Sequence, residues 1–290
     1  MVKGILLSLI SASAYATLPV LARLGYNSGL NAVNMLTYRF IFGALTLAVL
    51  FTLFRRKALK PNIPLLLKCA GLGIGLYMMQ SYFFFKSVEY IPASTTALLL
   101  YLYPLVVLIE STLFLKIKFR MASLVSIVLI LLGCCLVFYD AFLRELNLTG
   151  ILFGLAAPLT FGTYLTLSQV VLKNDRPGTV ALYISLFTGL GYMIANGGMD
   201  LFSLTAPQLS VAVALGIIPS ALAILTLYIA IDLIGATYVS LFSSIEPALT
   251  LILAGILLSE NIVIFQIFGV ALLIAGIVLP NLNLIKKREI

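Results

Sequence analysis

The sequence predicts an all-α integral membrane protein, ten transmembrane helices arranged as two inverted five-helix repeats with both termini on the cytoplasmic side. Three observations carry that expectation. Hydrophobic residues make up 62% of the 290 positions and charged residues only 10%, against roughly 45–50% and about 25% in soluble domains, so too few charges exist to cover a water-facing surface. Apolar runs of about 20 residues, the length a helix needs to cross a hydrocarbon core, recur along the chain. The second half also repeats features of the first at a nearly constant offset.

Taken in order, the spans fall at 4–25, 32–54, 64–86, 92–115, 120–139, 148–172, 178–197, 207–230, 236–258 and 263–284. The connectors between them are as short as bundle connections usually are, and such long unbroken runs exclude the short alternating strands of a membrane barrel. The run that starts after Lys3 continues to Leu24, so it reads as the first span rather than as a cleaved signal peptide, although Ser11-Ala12-Ser13-Ala14 resembles a small-residue cleavage site.

Basic residues orient the spans, because short cytoplasmic loops carry the Lys/Arg excess. With the N-terminus inside, only Arg23, Lys86 and Arg144 face out. Lys3, Arg55, Arg56, Lys57, Lys60, Lys68, Lys116, Lys118, Arg120, Lys173, Arg176, Lys286, Lys287 and Arg288 all face in. The net charge of +8 then follows from topology and from attraction to an anionic leaflet, and nucleic-acid binding has no place. The expected location is a plasma membrane, the inner membrane if the source is prokaryotic.

The reactive groups exclude further classes. There is no His, the usual proton shuttle and a common metal ligand. Cys69, Cys134 and Cys135 sit in apolar runs and read as small packing residues. Gly71, Gly73 and Gly75 lie inside a hydrophobic span without the Lys-Ser/Thr of a phosphate loop; Gly71 and Gly75 read instead as a small-xxx-small pair, and all three permit close helix approach. No metal, cofactor or enzymatic activity is expected. A channel is disfavoured as well, since neither a ring of charges nor a filter sequence is present.

Two offsets relate the halves, 1–145 and 146–290, which together form one membrane domain. A shift of 143 sets Pro104 on Pro247, Glu89 on Asp232, Ala93 on Ala236, Ser94 on Thr237 and Gly133 on Gly276; a shift of 146 sets Gly4 on Gly150, Tyr15 on Phe161 and Gly43 on Gly189. Five spans per half is an odd number, so the halves enter the membrane from opposite sides. Inverted repeats with matched helix breaks are a signature of secondary transporters, with substrate sites near the midplane.

Three short motifs, Tyr38-Arg39-Phe40 with Gly43, Glu246-Pro247, and Ser259-Glu260-Asn261, together with the two five-span units, resemble the EamA-like branch of the drug/metabolite transporter superfamily over nearly the whole chain. The resemblance implies a central cavity lined mainly by spans 1, 3, 4, 6, 8 and 9, small-metabolite substrates such as amino acids, and export as the favoured direction. Arg39 and Glu260 are then structural motif residues. The sequence departs from the family pattern at Lys116-Ile117-Lys118, at Tyr103 in place of a second Glu246, and at Tyr15 and Phe161, where Trp is common.

The polar groups inside the spans supply the site. Proline removes a helix hydrogen bond, and the matched pair Pro104 and Pro247 marks hinge segments. Glu246 lies on a stripe with Thr237, Ser240, Ser243 and Thr250 at helical spacing; an intramembrane carboxylate is functional by default, serving a substrate amine or a proton, with bonding to backbone freed by Pro247 as the structural alternative. Arg39 either binds a substrate carboxylate or snorkels to the outer interface; the second is expected, because span 2 lies outside the implied lining. Glu110 is expected to pair with Lys116 or Lys118. The candidate substrate-binding set is Tyr15, Tyr77, Gln80, Tyr101, Tyr103, Thr163, Tyr164, Tyr228, Ser243 and Glu246, with Ser81 and Thr160 on shared faces. Tyr101 and Tyr103 point apart on a regular helix, so at most one should face the centre. The expected partners are a small-molecule substrate, the bilayer, and a coupled proton or exchange solute. A homodimer and a lipid head-group flippase stay open as alternatives.

Overall fold

The computed structural model describes residues 1–54, 59–91, 93–118, 121–137, 139, 147–200, 204–258 and 263–278. Arg55, Arg56, Lys57, Arg120, Arg144, the Ser259-Glu260-Asn261 motif, and Lys286, Lys287 and Arg288 lie outside the described residues. Among the described residues the regular structure is helical throughout, without strands. The first half contains α1 (Val2–Ala16), α2 (Leu18–Asn27), α3 (Ala32–Phe54), α4 (Ile63–Ala70), a π-helical segment (Gly71–Tyr77), α5 (Met78–Tyr90), α6 (Ala93–Leu100), α7 (Tyr103–Leu113) and α8 (Met121–Val137). The second contains α9 (Leu148–Leu172), α10 (Pro177–Ala195), α11 (Ala206–Gly216), a second π-helical segment (Ile217–Leu222), α12 (Ala223–Ile234), α13 (Ala236–Ser243), α14 (Glu246–Leu258) and α15 (Ile264–Val278).

Several of these elements run on into one another. Seven stretches among the described residues are long and apolar enough to cross a membrane: Val2–Asn27, Ala32–Phe54, Ile63–Tyr90, Leu148–Leu172, Pro177–Ala195, Ala206–Ile234 and Ala236–Leu253. Leu98–Leu113, Met121–Val137 and Ile264–Gly276 are shorter apolar helices. Local chemistry sets the boundaries. The Asn62 side chain accepts from Leu65 N (2.8 Å), closing the start of α4, which carries Pro64 in its first turn. Asn147 does the same for Thr149 N at α9 (2.8 Å). Between α12 and α13, Gly235 takes φ +82°, a left-handed conformation that favours glycine.

Polarity is distributed inside out. Leu53, Phe54, Leu67, Phe114, Ile194 and Ile256 are among the exposed large apolar side chains, whereas Ser8, Ser11, Thr37, Ser87, Thr188 and Ser220 are fully buried. So much exposed apolar surface is tolerated only where the surrounding solvent is itself apolar. The buried hydroxyls bond across helices, Ser11 Oγ donating to Ala223 O at 2.9 Å and Ser87 Oγ to Gly150 O at 2.9 Å, the glue that substitutes for a hydrophobic driving force within lipid.

The closest packing joins one half to the other: α8 lies on α15, α3 on α10, α1 on α12 and α5 on α9. Small residues make this possible at matched places. A Cβ on Gly4 would meet Ile234 and one on Gly150 would meet Ile91, while Gly133 and Gly269 face each other's backbone. Of the three glycines expected to allow close approach, Gly73 makes it, to Ile184 O and Thr188, while Gly71 and Gly75 are corrected, since open space surrounds both. A π-helical turn shifts the face that each residue presents, so the spacing of a regular helix does not hold there.

Candidate functional site

The site begins with two helix breaks. Pro104 and Pro247 each lack the N–H that would bond the carbonyl four residues back, and each ring crowds that carbonyl. Those carbonyls belong to Leu100 and Ser243, where α6 and α13 end. The chain turns through residues 101–102 and 244–245 before α7 and α14 resume. The polar stripe on the second half therefore spans a break: Ser240 Oγ donates to Thr237 O (2.8 Å), Thr250 Oγ1 to Ala16 O (3.4 Å), and Ser243 Oγ shares a hydrogen bond with Ser8 Oγ (3.3 Å).

A cleft of about 780 Å³, including its open mouth, lies beside both breaks. The first half supplies Tyr15, Leu18, Pro19, Arg39, Tyr77, Gln80, Ser81, Phe84, Phe85, Leu100, Tyr101 and Tyr103; the second supplies Phe161, Leu165, Leu227, Ser243 and Glu246. The wall is thus mostly aromatic and aliphatic, with one cation and one carboxyl. The Tyr101 hydroxyl and the Arg39 guanidinium both lie near enough to the Glu246 carboxyl to act on it electrostatically.

Arg39 is held by a chain of local causes in the second half. Pro219 cannot donate to Leu215 O, and the neighbouring Ser220 Oγ takes that acceptor instead (3.0 Å). The same hydroxyl oxygen then accepts from Arg39 Nε (3.2 Å), while a terminal guanidinium nitrogen of Arg39 donates to the Tyr77 hydroxyl (3.3 Å). Tyr77 closes the first π-helical segment and Ser220 lies within the second, so one guanidinium ties together both irregular turns. Its charge also sits 4.8 Å from the Phe40 ring centroid, within cation–π range.

Behind the cleft runs an aromatic wall. Tyr77 shares a hydrogen bond with Tyr15 (3.2 Å) and stacks on Tyr164 at 4.6 Å, Tyr164 stacks on Phe161 at 6.0 Å, and Phe161 meets Tyr103 edge-on at 4.9 Å. The Tyr164 and Tyr228 hydroxyls are hydrogen-bonded to each other.

Of the residues expected from sequence, the structure gathers Tyr15, Tyr77, Gln80, Tyr101, Tyr103, Ser243 and Glu246 around the cleft, together with Ser81. Five expectations are corrected. Tyr101 and Tyr103 both line it, because the turn at 101–102 removes the helical rotation between them. Tyr164 and Tyr228 are fully buried behind the lining rather than part of it. Thr163 donates to Glu110 Oε1 (2.6 Å) and to Leu159 O (2.9 Å), away from the cleft; Glu110 accordingly pairs with Thr163, and among the described residues no ion pair joins it to Lys116 or Lys118. Arg39 does not snorkel: only 4% of it is exposed, and it lines the cleft.

Ser220 and the phenylalanines were missed as site residues, whereas Arg39 was expected as a structural motif residue, with substrate binding as its alternative role. A signal for Arg39 existed, since Gly43 lies one turn further along the same helical face and that face is pressed against the second half. Phe161 was marked as the partner of Tyr15 at an offset of 146 and as an aromatic position of the family pattern, not as a lining residue.

The comparisons agree with this architecture. The model of the EamA-like transporter family matches twice, over residues 2–139 and 148–282. An uncharacterized transporter of Clostridium kluyveri is 27% identical over 290 residues, covering 95% of this chain and 92% of its own. A second, from Haemophilus influenzae, is 27% identical over 200 residues, covering 66% of this chain and 63% of its own. A crystal structure described only as that of a protein aligns over the full length of both chains with a TM-score of 0.83 at 17% identity, a likeness of fold.

Proposed function

The chain belongs to the EamA-like transporter family, and from that premise we propose that it is a secondary transporter that moves small organic metabolites, amino acids or related compounds, across the plasma membrane by alternating access, with export favoured. The observation that carries this reading is the cleft itself, which Arg39 from the first half and Glu246 from the second both line, beside two proline-marked breaks. A site built by both halves changes its access when one half rocks against the other.

The reading takes the seven long stretches and three shorter apolar helices as ten spans, forming two five-span units of opposite orientation with both termini inside. Contacts between connectors support the grouping of sides. Lys68 pairs with Asp175 (3.4 Å) and Tyr183 Oη donates to Leu59 O (3.1 Å) on the side assigned to the cytoplasm. Gln208 Nε2 donates to Ser28 O (2.8 Å) and Tyr38 Oη to Asp200 O (2.8 Å) on the other. A proton or a counter-moving solute supplies the driving force.

The test is counterflow in proteoliposomes with a mixed pool of radiolabelled amino acids, comparing wild type with Glu246→Gln at two pH values. Uptake by wild type that the variant loses is the expected result, and a pH dependence lost with it identifies a coupled proton. Folded wild-type protein that moves no soluble solute overturns the reading; flip-flop of a labelled lipid head group in the same vesicles would replace it with a flippase.

A further inference from the structure

Rocking repeats need two seams, one closed at a time, and inverted repeats build the second from the counterparts of the residues that close the first. Here the seam on the side assigned to the cytoplasm is closed, with α9 packed on α12 and α13, and α7 on α13. Three hydrogen bonds cross it. The Tyr164 and Tyr228 hydroxyls, both fully buried, bond each other; Ala236 N donates to Gln169 Oε1 at 2.6 Å; and the Tyr103 hydroxyl donates to Ser240 O at 3.3 Å. On the opposite side, among the described residues, no comparable packing joins α2 to α5 or α14 to α6. The cleft lies there, lined by Leu18, Phe85, Leu100 and Glu246 from those four helices.

The two offsets of the repeat identify the counterparts, and they hold in space: Gly4 approaches Ile234 as Gly150, 146 residues on, approaches Ile91, 143 residues back. By the same shifts Tyr164 corresponds to Leu18 and Tyr228 to Phe85, side chains without a polar atom. Gln169 corresponds to Arg23, and a guanidinium has no acceptor. Tyr103 corresponds to Glu246, and an ionised carboxyl has no proton to donate to the carbonyl of Ala97, the counterpart of Ser240. With Glu246 ionised, none of the three bonds has a twin.

We propose that Tyr164, Tyr228, Gln169 and Tyr103 form a latch on the cytoplasmic seam that the outer seam cannot match, so that the protein without solute rests with its cleft open to the exterior. This deepens the transporter reading and rests on it. Exchanging one seam for the other uncovers two phenol rings and covers one phenyl ring and one leucine, similar apolar areas. The hydrogen bonds therefore set the direction, because three are broken and none of them is remade between protein groups.

Cysteine accessibility in right-side-out and inside-out membrane vesicles tests this, with Cys69, Cys134 and Cys135 replaced by Ala, a membrane-impermeant maleimide as the probe and no solute present. Leu100→Cys reports the cleft that Leu100 lines. Ser168→Cys reports the inner seam, since Ser168 is fully buried one turn beyond Tyr164 and near the Tyr228 hydroxyl. The expected result is that Leu100→Cys reacts from the exterior and Ser168→Cys only slowly from the cytoplasmic face. Tyr228→Phe should raise the Ser168→Cys rate about 2- to 10-fold, the shift in an opening equilibrium that one hydrogen bond gives. Tyr164→Phe should do the same, and the two together no more than either, because they break one bond; loosened packing alone would make their effects add. Tyr103→Phe, at a separate bond, should add to either, and it decides the matter if Tyr228→Phe does not fold. Ser168→Cys labelling unchanged by these substitutions overturns the latch, and intact counterflow in the same proteins leaves the transporter reading standing. Ser168→Cys labelled as fast as Leu100→Cys before any tyrosine is changed overturns the resting state. Leu100→Cys reached only from the cytoplasmic face overturns the assignment of sides on which both readings stand.

Discussion

Replacing Gly43 by Ala tests how the Arg39 tie is built. Gly43 lies one turn beyond Arg39 on α3, where that helix crosses the second π-helical segment backbone to backbone. An added Cβ would lie 2.7 Å from Ser220 Cβ and 3.3 Å from Gly216 O, and ordinary contact begins at 3.4 Å. Neither neighbour is the far end of a flexible side chain, so the two segments must separate by about 0.7 Å at the tighter contact. Arg39 Nε and Ser220 Oγ are already 3.2 Å apart, and a separation of that size carries them beyond hydrogen-bond reach. Overpacking costs about 1–3 kcal/mol, and the lost bond to a charged group about 1.5–3 kcal/mol; the two overlap, because moving apart relieves the first by incurring the second. The expectation is a net loss of about 2–3 kcal/mol, read as a lower melting temperature in detergent together with weaker solute binding. Gly71→Ala and Gly75→Ala are the controls, since a Cβ there meets nothing within 4 Å and Ala in a helix gains roughly 0.5–1 kcal/mol over Gly. Gly43→Ala as stable as wild type, or Gly71→Ala equally damaging, would refute the reasoning.

Two further predictions concern the aromatic wall and the sidedness of the connectors. Tyr77→Phe removes the hydroxyl that bonds Arg39 and Tyr15 but keeps the ring stacked on Tyr164; it should cost about 1–3 kcal/mol of stability, measured as a lower melting temperature in detergent of a protein that still folds. With Cys69, Cys134 and Cys135 replaced by Ala, Asp175→Cys should react with a membrane-impermeant maleimide only from the cytoplasmic face and Gln208→Cys only from the opposite one. Labelling of both from one side would sink the topology.

The helices were legible because lipid demands long apolar runs, and the breaks because proline removes a specific donor four residues from a specific carbonyl. Pro104 and Pro247 mark those breaks at the same place in each half. Properties that depend on how a break redirects the chain were not legible. Tyr101 and Tyr103 were assigned opposite directions from helical rotation, which the turn between α6 and α7 cancels. Arg39 was assigned to the interface because its span was thought to lie away from the cavity; its true place depends on the crossing at Gly43 and Gly216, which involves residues far apart in sequence. Ser220 gave no sign of a role, since its work depends on the carbonyl that Pro219 leaves free and on a guanidinium arriving from the other half. Thr163 and Tyr164 are neighbours in sequence on a broad polar face, and only packing separates the one that meets Glu110 from the one that stacks on Tyr77.

The two halves place their π-helical segments and their breaks at matched positions and differ in charge, and that difference bears on the proposed mechanism. The π-helical segments begin at Gly71 and Ile217 and the breaks follow Leu100 and Ser243, offsets of 146 and 143 that the sequence repeats. At the position related to Arg39 by 146 stands Ser185, buried with its hydroxyl unbonded, and at the position related to Glu246 by 143 stands Tyr103, a cleft residue without a charge. Had both copies kept either charge, a matched framework would set like charges at equivalent places around one cleft, where they repel in a medium that screens poorly. Each half contributes instead one charge of opposite sign. The frame keeps its breaks at matched places, while the cleft carries one positive and one negative group, each from a different half.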